Sequence, residues 1–314
     1  MNTVLTTSLA LGAALSVGLL RIPPSTALST NALDQDTLQH AGQVRLYRLH
    51  LPPTYDQRSR PIPLLIALHG GGGSGQQFEN QSGLSEKADR EGFAVVYPDG
   101  QVNPGVLKLR TWNAGHCCGQ RATTQQTDDV GFIRALISKL TRTYRLDPRR
   151  VYATGHSNGA MLCYRLACEL PDKIAAIATN AGTMQVKTAC QPSRVLPILH
   201  MHSKQDRNVP YDGGVGSRSL NGQWNPSVDS SLMVFARLAR CRAAKPTVQP
   251  ANGYTLYKWK ACERGADLHY YLTDDGGHSW PGGQKSVRRF GDPPSAALTA
   301  NDVLWAFVSQ YTLP

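Results

Sequence analysis

Residues Gly155-His156-Ser157-Asn158-Gly159 decide how this chain is read. They spell G-x-S-x-G, and they stand where that pattern has a mechanical meaning. Val151-Tyr152-Ala153-Thr154 before them reads as a short buried strand, and Ala160–Cys168 after them as a helix. A serine on a tight strand-to-helix turn is held out from the sheet, with flanking glycines letting the backbone turn around it. The helix that follows aims its N-terminal dipole at the serine. Five residues alone are a weak signal, so the elements around them matter.

Working outward, strands are expected at Val44–Leu51, Pro63–His69, Phe93–Tyr97, Val151–Gly155, Ala175–Asn180, Val195–His202, Tyr254–Trp259 and Leu268–Leu272. Helical patterns fall between them. Asp129–Tyr144 is the clearest, with Phe132, Leu136, Ile137 and Leu140 at helical spacing behind an aspartate cap; Ser231–Arg240 and Ala296–Tyr311 are others. Strands alternating with helices imply an α/β fold, a mostly parallel central sheet with helices on both faces. Tyr211–Val228, rich in Gly and Ser, reads as a long loop at the rim of a site.

A serine hydroxyl is a weak nucleophile at neutral pH. It needs a histidine to take its proton and a carboxylate to orient that histidine. It also needs donors aimed at the oxyanion that forms. In α/β-hydrolases the chain order is serine, acid, histidine, and here Ser157 is followed by Asp206 and then His278. Asp206 lies in the loop leaving a strand at its carboxyl end, where such a site gathers its groups. His278 sits among glycines in Gly276-Gly277-His278-Ser279-Trp280-Pro281-Gly282, after the last strand. His69 opens Gly70-Gly71-Gly72-Gly73-Ser74-Gly75, an oxyanion-loop pattern, which assigns the hole to the amides of Gly71 and Asn158. No lysine follows as in G-K-[ST], so the glycine run is not read as a phosphate cradle. His200 and His202 read as core or supporting residues, and His40, His50 and His269 as surface or structural. His116 is read as lining the cleft. Trp112, Asn113, Trp224 and Trp280 are expected to rim the cleft and meet substrate, flat rings suiting an aromatic acyl group or a sugar face. Asp128 and Asp129 read as helix caps.

The chain has 314 residues and a formal charge of +11. Its basic residues are scattered, the pairs Arg149-Arg150 and Arg288-Arg289 being isolated, and no basic run is interleaved with aromatics, so no nucleic-acid partner is expected. Attraction to an anionic polymer is a softer consequence of the charge. An apolar run from Val4 to Leu20, followed by Ser25-Thr26-Ala27, looks like a secretory signal, although no positive charge precedes it; an uncleaved anchor is the alternative. The expected partition is 1–27 signal peptide, 28–38 linker and 39–314 catalytic domain. After cleavage no membrane association is expected, and the location is extracellular or periplasmic. Seven cysteines suit an oxidising setting. Cys168 with Cys190 and Cys241 with Cys262 are the expected disulfides. Cys117 and Cys118 could bridge each other, or one could reach Cys163. No C-x-x-C or clustered His/Cys spacing supports zinc, and neither a metal nor an organic cofactor is expected.

Several segments together resemble one known family. They are His69–Ser74, Tyr97-Pro98-Asp99-Gly100, Trp112-Asn113-Ala114-Gly115, Cys117-Cys118-Gly119, Asp128–Ile133, Gly155–Gly159 and Gly277–Gly282. The set is similar to the secreted polyhydroxybutyrate depolymerase-like esterases, which include feruloyl and acetylxylan esterases. The resemblance runs from about Gln43 to the C-terminus. It implies Ser157 as nucleophile, Asp206 as acid and His278 as base. The chain departs from the family at His202-Ser203-Lys204, where His-Gly-Thr is usual, and at Cys163 in the nucleophile helix. The expected function is a serine ester hydrolase, monomeric, acting through an acyl-enzyme on feruloyl or acetyl esters of plant polysaccharide. A short-chain polyester depolymerase is the alternative, and a non-catalytic binding protein on the same scaffold is the reading of another class.

Overall fold

The computed structural model describes residue 1 and, from residue 35 onward, all residues except 105–107, 121–123, 125, 220, 242–244, 260–261 and 286–290. Apart from Met1, the expected signal peptide lies outside the described residues.

Ten strands form the main sheet: β1 (Gln35–His40), β2 (Gln43–His50), β3 (Ile62–Leu68), β4 (Ala94–Pro98), β7 (Leu146–His156), β8 (Ala176–Asn180), β9 (Ile198–Ser203), β12 (Thr247–Ala251), β13 (Tyr254–Trp259) and β14 (Leu268–Thr273). Two short ribbons pair β5 (Gln101–Val102) with β6 (Arg110–Thr111), and β10 (Gly214–Val215) with β11 (Trp224–Asn225). The order across the main sheet is β1-β2-β4-β3-β7-β8-β9-β14-β13-β12. The strands from β4 to β14 in that order run parallel, and an antiparallel hairpin closes each edge.

The helices are α1 (Gly75–Ser82), α2 (Leu84–Glu91), α3 (Asp129–Thr143), α4 (Asn158–Glu169), α5 (Val228–Leu238) and α6 (Ala300–Val308). Strand β3 shows why they cover both faces. Leu64, Ile66 and Leu68 pack into one core with Phe132 and Leu136 of α3, Leu162 of α4 and Phe235 of α5. Leu65 and Ala67, pointing the other way, pack with Phe78 of α1, Leu84 of α2 and Leu304 of α6. Strands buried on both faces read as continuous apolar runs, which is what the sequence shows there.

The edges differ from expectation. Gln35–Leu38, expected to be linker, belong to β1, and β12 is a strand where none was expected. Both are largely exposed, so neither carries an alternating apolar signal. Pro250 sits within β12, opposite Thr255. Helices α1 and α2, also unforeseen, join at Gly83, whose φ of 64° places it in the left-handed region.

Candidate active site

Five adjacent strands, β3, β7, β8, β9 and β14, deliver the site in spatial order at their carboxyl ends. They bring His69–Gly73, Ser157, Asn180, Asp206 and His278 respectively. The nucleophile turn holds its strain on the serine itself: Ser157 has φ 55° and ψ −121°. The glycines have a different role from the one expected. Neither Gly155 nor Gly159 has positive φ. A Cβ on Gly159 would run into the carbonyl oxygen of Leu68, and one on Gly155 into the backbone of Gly159. Glycine is needed there so that β7, α4 and β3 can approach. Helix α4 starts at once, at Asn158.

The structure brings Ser157, Asp206 and His278 together. His278 Nδ1 donates to Asp206 Oδ2 at 2.7 Å, and His278 Nε2 lies 2.9 Å from Ser157 Oγ. Asp206 is buried, and its Oδ1 accepts the backbone N–H groups of Asn208 and Val209, each at 2.9 Å. Burial favours the neutral acid, but the His278 charge opposite and the hydrogen bonds from His202 and His278 outweigh it and hold Asp206 far below the ordinary carboxylate range. Burial also disfavours a charged His278. The Asp206 charge and hydrogen bond, with Asp292 beyond, reverse that and raise its affinity for a proton.

Gly71 lines a cavity of about 980 Å³ that also exposes Ser157, Asn158 and His278. The loop around Gly71 is held by His69, whose Nδ1–H bonds the Gly70 carbonyl at 2.8 Å while its Nε2 accepts the Gly100 N–H at 2.9 Å. Burial keeps this imidazole neutral, lowered to about 4. The Asn158 N–H, at the first turn of α4, has no carbonyl within its helix to bind. Gly71 and Asn158 thus both line the cavity that Ser157 faces.

The expected rim residues need correcting. Trp112 is fully buried and does not line the cavity. Its indole N–H bonds the His69 carbonyl at 3.0 Å, and its backbone N–H and carbonyl engage the Asn158 side chain at 2.7 and 3.0 Å. Trp112 therefore braces the Gly71 and Asn158 sides from behind. Asn113 is likewise buried away from the cavity, its amide donating to the Thr127 carbonyl at 2.8 Å. Trp280 lines the cavity but is 3% exposed, its indole N–H held by Asn301 at 2.9 Å and its ring edge-to-face with Phe78. Trp224 is 62% exposed, yet its neighbours Gln223 and Asn225 are the ones that line the cavity, because alternate residues of a strand face opposite ways. His116 is exposed and lies outside the lining. Asp128 caps α3 through the Gly131 N–H at 2.8 Å, as expected, but Asp129 is no cap: it is buried, paired with Arg45 at 2.7 Å and bonded to the Asn113 N–H.

Other groups carried no recognisable signal. Asp292 accepts the backbone N–H of His278 at 2.9 Å and pairs with Arg218 at 2.7 Å. It comes from a loop folding back over the site, which no local pattern announces. His156, the variable residue of the motif, packs 4.7 Å from the His278 ring. Cys117 bridges Cys118 in the cavity wall, Cys168 bridges Cys190, Cys241 bridges Cys262, and Cys163 remains a buried free thiol. Among the described residues no group of three or more His, Cys, Asp or Glu could hold a metal ion, and no helix is long and apolar enough to cross a membrane.

The sequence model of the family described as esterase PHB depolymerase matches residues 45–249. The chain belongs to this family. Membership places it among carboxylic ester hydrolases. It is 32% identical over 266 residues to the candidate esterase NocK of Nocardia uniformis subsp. tsuyamanensis, the match covering 77% of this chain and 72% of that one. It is 29% identical to feruloyl esterase B of Piromyces equi, covering 81% of this chain and 43% of the relative. It is 28% identical to the bifunctional acetylxylan esterase/xylanase XynS20E of Neocallimastix patriciarum, covering 80% of this chain and 31% of the relative. The chain thus spans less than half the length of those last two relatives. The solved acetyl xylan esterase from Aspergillus awamori superposes with a TM-score of 0.61 at 14% identity, over 88% of this chain and 99% of that one. At that identity the likeness is one of fold, the α/β-hydrolase fold.

Proposed function

We propose that this chain is an exported serine esterase that works through an acyl-enzyme on feruloyl or acetyl groups carried by plant polysaccharide. The observation that carries the reading is His278, set between Ser157 Oγ at 2.9 Å and Asp206 Oδ2 at 2.7 Å. Ser157 Oγ attacks the ester carbonyl as its proton passes to His278 Nε2. Asp206 stabilises the imidazolium without taking its proton. The oxyanion meets the N–H groups of Gly71 and Asn158. Collapse breaks the bond to the alcohol, which leaves with the proton from His278. Water, deprotonated by His278, then releases the acid and restores Ser157.

The cavity supports the choice of substrate. Its floor is apolar at Met161, Val209 and the Cys117–Cys118 pair, suiting an acyl group. Its mouth carries carboxamides at Gln77, Gln81, Asn221, Gln223 and Gln284, each offering donors and an acceptor to sugar hydroxyls. Relatives named feruloyl and acetylxylan esterase support the same reading. The family's description keeps polyester as the second reading, which the apolar floor also accommodates. The disulfides suit the oxidising compartments that exported proteins meet. A single chain suffices for the site, so the working form is taken as a monomer.

The test is Ser157→Ala assayed on a p-nitrophenyl ester. Loss of turnover is expected, and turnover at the parent rate overturns the mechanism. Parallel assays on methyl ferulate, acetylated xylan and polyhydroxybutyrate film choose the substrate: activity on the film alone would reverse the assignment.

A further inference from the structure

One buried side chain joins the nucleophile turn to the histidine loop without taking part in the chemistry. Asn180 ends β8, beside the turn, with His156 as its register partner. It is 1% exposed. Its backbone carbonyl accepts the Ser157 N–H at 2.9 Å. A carboxamide nitrogen carries two hydrogens, and Asn180 Nδ2 has two acceptors: His156 Nδ1 at 2.8 Å and the Ser279 carbonyl at 2.9 Å. Ser279 follows His278 directly. The other anchors of that loop approach from elsewhere, Asp206 at the imidazole and Asp292 at the His278 N–H.

We propose that Asn180 is a positioning residue for acyl transfer, its carboxamide clipping the loop that carries His278 onto the turn that carries Ser157. The inference rests on the reading in which those two residues do the chemistry. Besides the reacting Ser157–His278 contact itself, this amide is the hydrogen-bonded link between turn and loop among the described residues. The same bond settles the state of His156. With Nδ1 occupied as an acceptor, the ring carries its proton on Nε2. Burial, and then the neighbouring His278, lower its proton affinity to about 3. When His278 takes the Ser157 proton, the ring 4.7 Å away therefore stays neutral, and the positive charge rests where Asp206 faces it. A carboxylate at position 180 would have the same shape but no hydrogen for the Ser279 carbonyl and a pull on a proton toward His156.

The experiment uses the full chain with Asn180→Ala and Asn180→Asp, and counts active sites with a fluorophosphonate probe before measuring rates. Misplacing reacting groups by about an ångström costs up to about 100-fold, so kcat per titrated site is expected to fall about 10- to 100-fold in both variants. Because substrate contacts are untouched, KM stays within about twofold. A merely structural role would lower the number of titratable sites and leave kcat per site unchanged, and that result overturns the proposal. If Asn180→Ala does not fold, the isosteric Asn180→Asp decides, with parent kcat per site as the contrary outcome. Ser157→Ala separates the two readings. If it is active, the mechanism itself fails; if it is dead while Asn180→Asp matches the parent, only the clip fails.

Discussion

The Nε2–H of His202 lies between two acceptors, the Val209 carbonyl at 2.8 Å and Asp206 Oδ2 at 3.3 Å. One buried donor thus holds both the proposed acid and the loop that carries it. The chain of bonds continues inward. His202 Nδ1 accepts from His200 Nε2 at 3.0 Å, and His200 Nδ1, left as an acceptor, has the hydroxyl oxygens of Tyr164 and Thr179 both at 2.8 Å. Burial, helped by the adjacent His202, keeps His200 neutral. Removing the donor with His202→Phe leaves buried acceptors unpaired, which costs about 1–3 kcal/mol. Denaturant midpoints should show that loss, and kcat should fall with it. His202→Gln, which restores a donor near the Nε2 position, should recover part of both.

Asp206→Asn tests the acid separately from the fold. Its Oδ1 would still accept the Asn208 and Val209 amides, so the loop should keep its shape. Its amide nitrogen would instead face His278 Nδ1 and favour the wrong tautomer. A fall in kcat of about 10⁴-fold is expected, with little change in thermal midpoint. Near-parent turnover would show that another group orients His278.

The pH dependence of rate and of stability should diverge. The general base works as neutral imidazole, and His278 is raised above its ordinary value by Asp206 and Asp292. The acid limb of kcat/KM is therefore expected above about 6.5. Asp292→Asn removes one of the raising charges and should move that limb to lower pH. A raised histidine stabilises the fold fully below its unfolded value and loses that contribution as pH climbs through its folded value. Asp206 does the reverse: its lowered value stabilises the fold above about 3.9, and protonation removes the effect on acidification. From this pair, stability should be greatest between about pH 4 and 6.5, below the range of best turnover. Denaturation series across pH, run beside rate profiles, would check the offset.

Glycine substitutions should separate packing from chemistry. Gly159→Ala drives a methyl into the Leu68 carbonyl and is expected to abolish folded, active protein. A Cβ on Gly71 meets only Asn158 Cβ, at an ordinary 3.8 Å. Since the proposed hole uses the backbone N–H of Gly71, Gly71→Ala should fold and keep kcat within about tenfold of the parent, well short of the 10²–10³ that loss of an oxyanion donor costs.

The Cys168–Cys190 bridge spans 22 residues and ties the end of α4 to the loop before β9. Closing a loop of that size restricts the unfolded chain by about 3 kcal/mol. Replacing both cysteines with serine should lower stability by a comparable amount in denaturant melts.

Most of the parallel core was legible because strands buried on both faces leave uninterrupted apolar runs, as at Pro63–His69 and Ala175–Asn180. Edge strand β12 was not, since all five of its residues are exposed. Ser157, Asp206 and His278 could be picked out because each stands in a turn after a strand and in a telling order. Trp112 was misplaced because a tryptophan in a loop reads alike whether it faces the cavity or braces the wall behind it. Asp292 was invisible because its role depends on how the same connection returns to His278, 14 residues further on. Asn180 was in plain view as a strand end, but its bonds to His156 and Ser279 exist only once β7 and the histidine loop are assembled.

Pro250 gives the exposed edge of the sheet a further property. A bare outer strand is a template on which another polypeptide can extend the ladder and begin a fibre. Proline has no N–H to offer, and as the next-to-last residue of β12 it interrupts the row of donors that such growth would need. That one missing hydrogen works against edge-to-edge association of folded molecules.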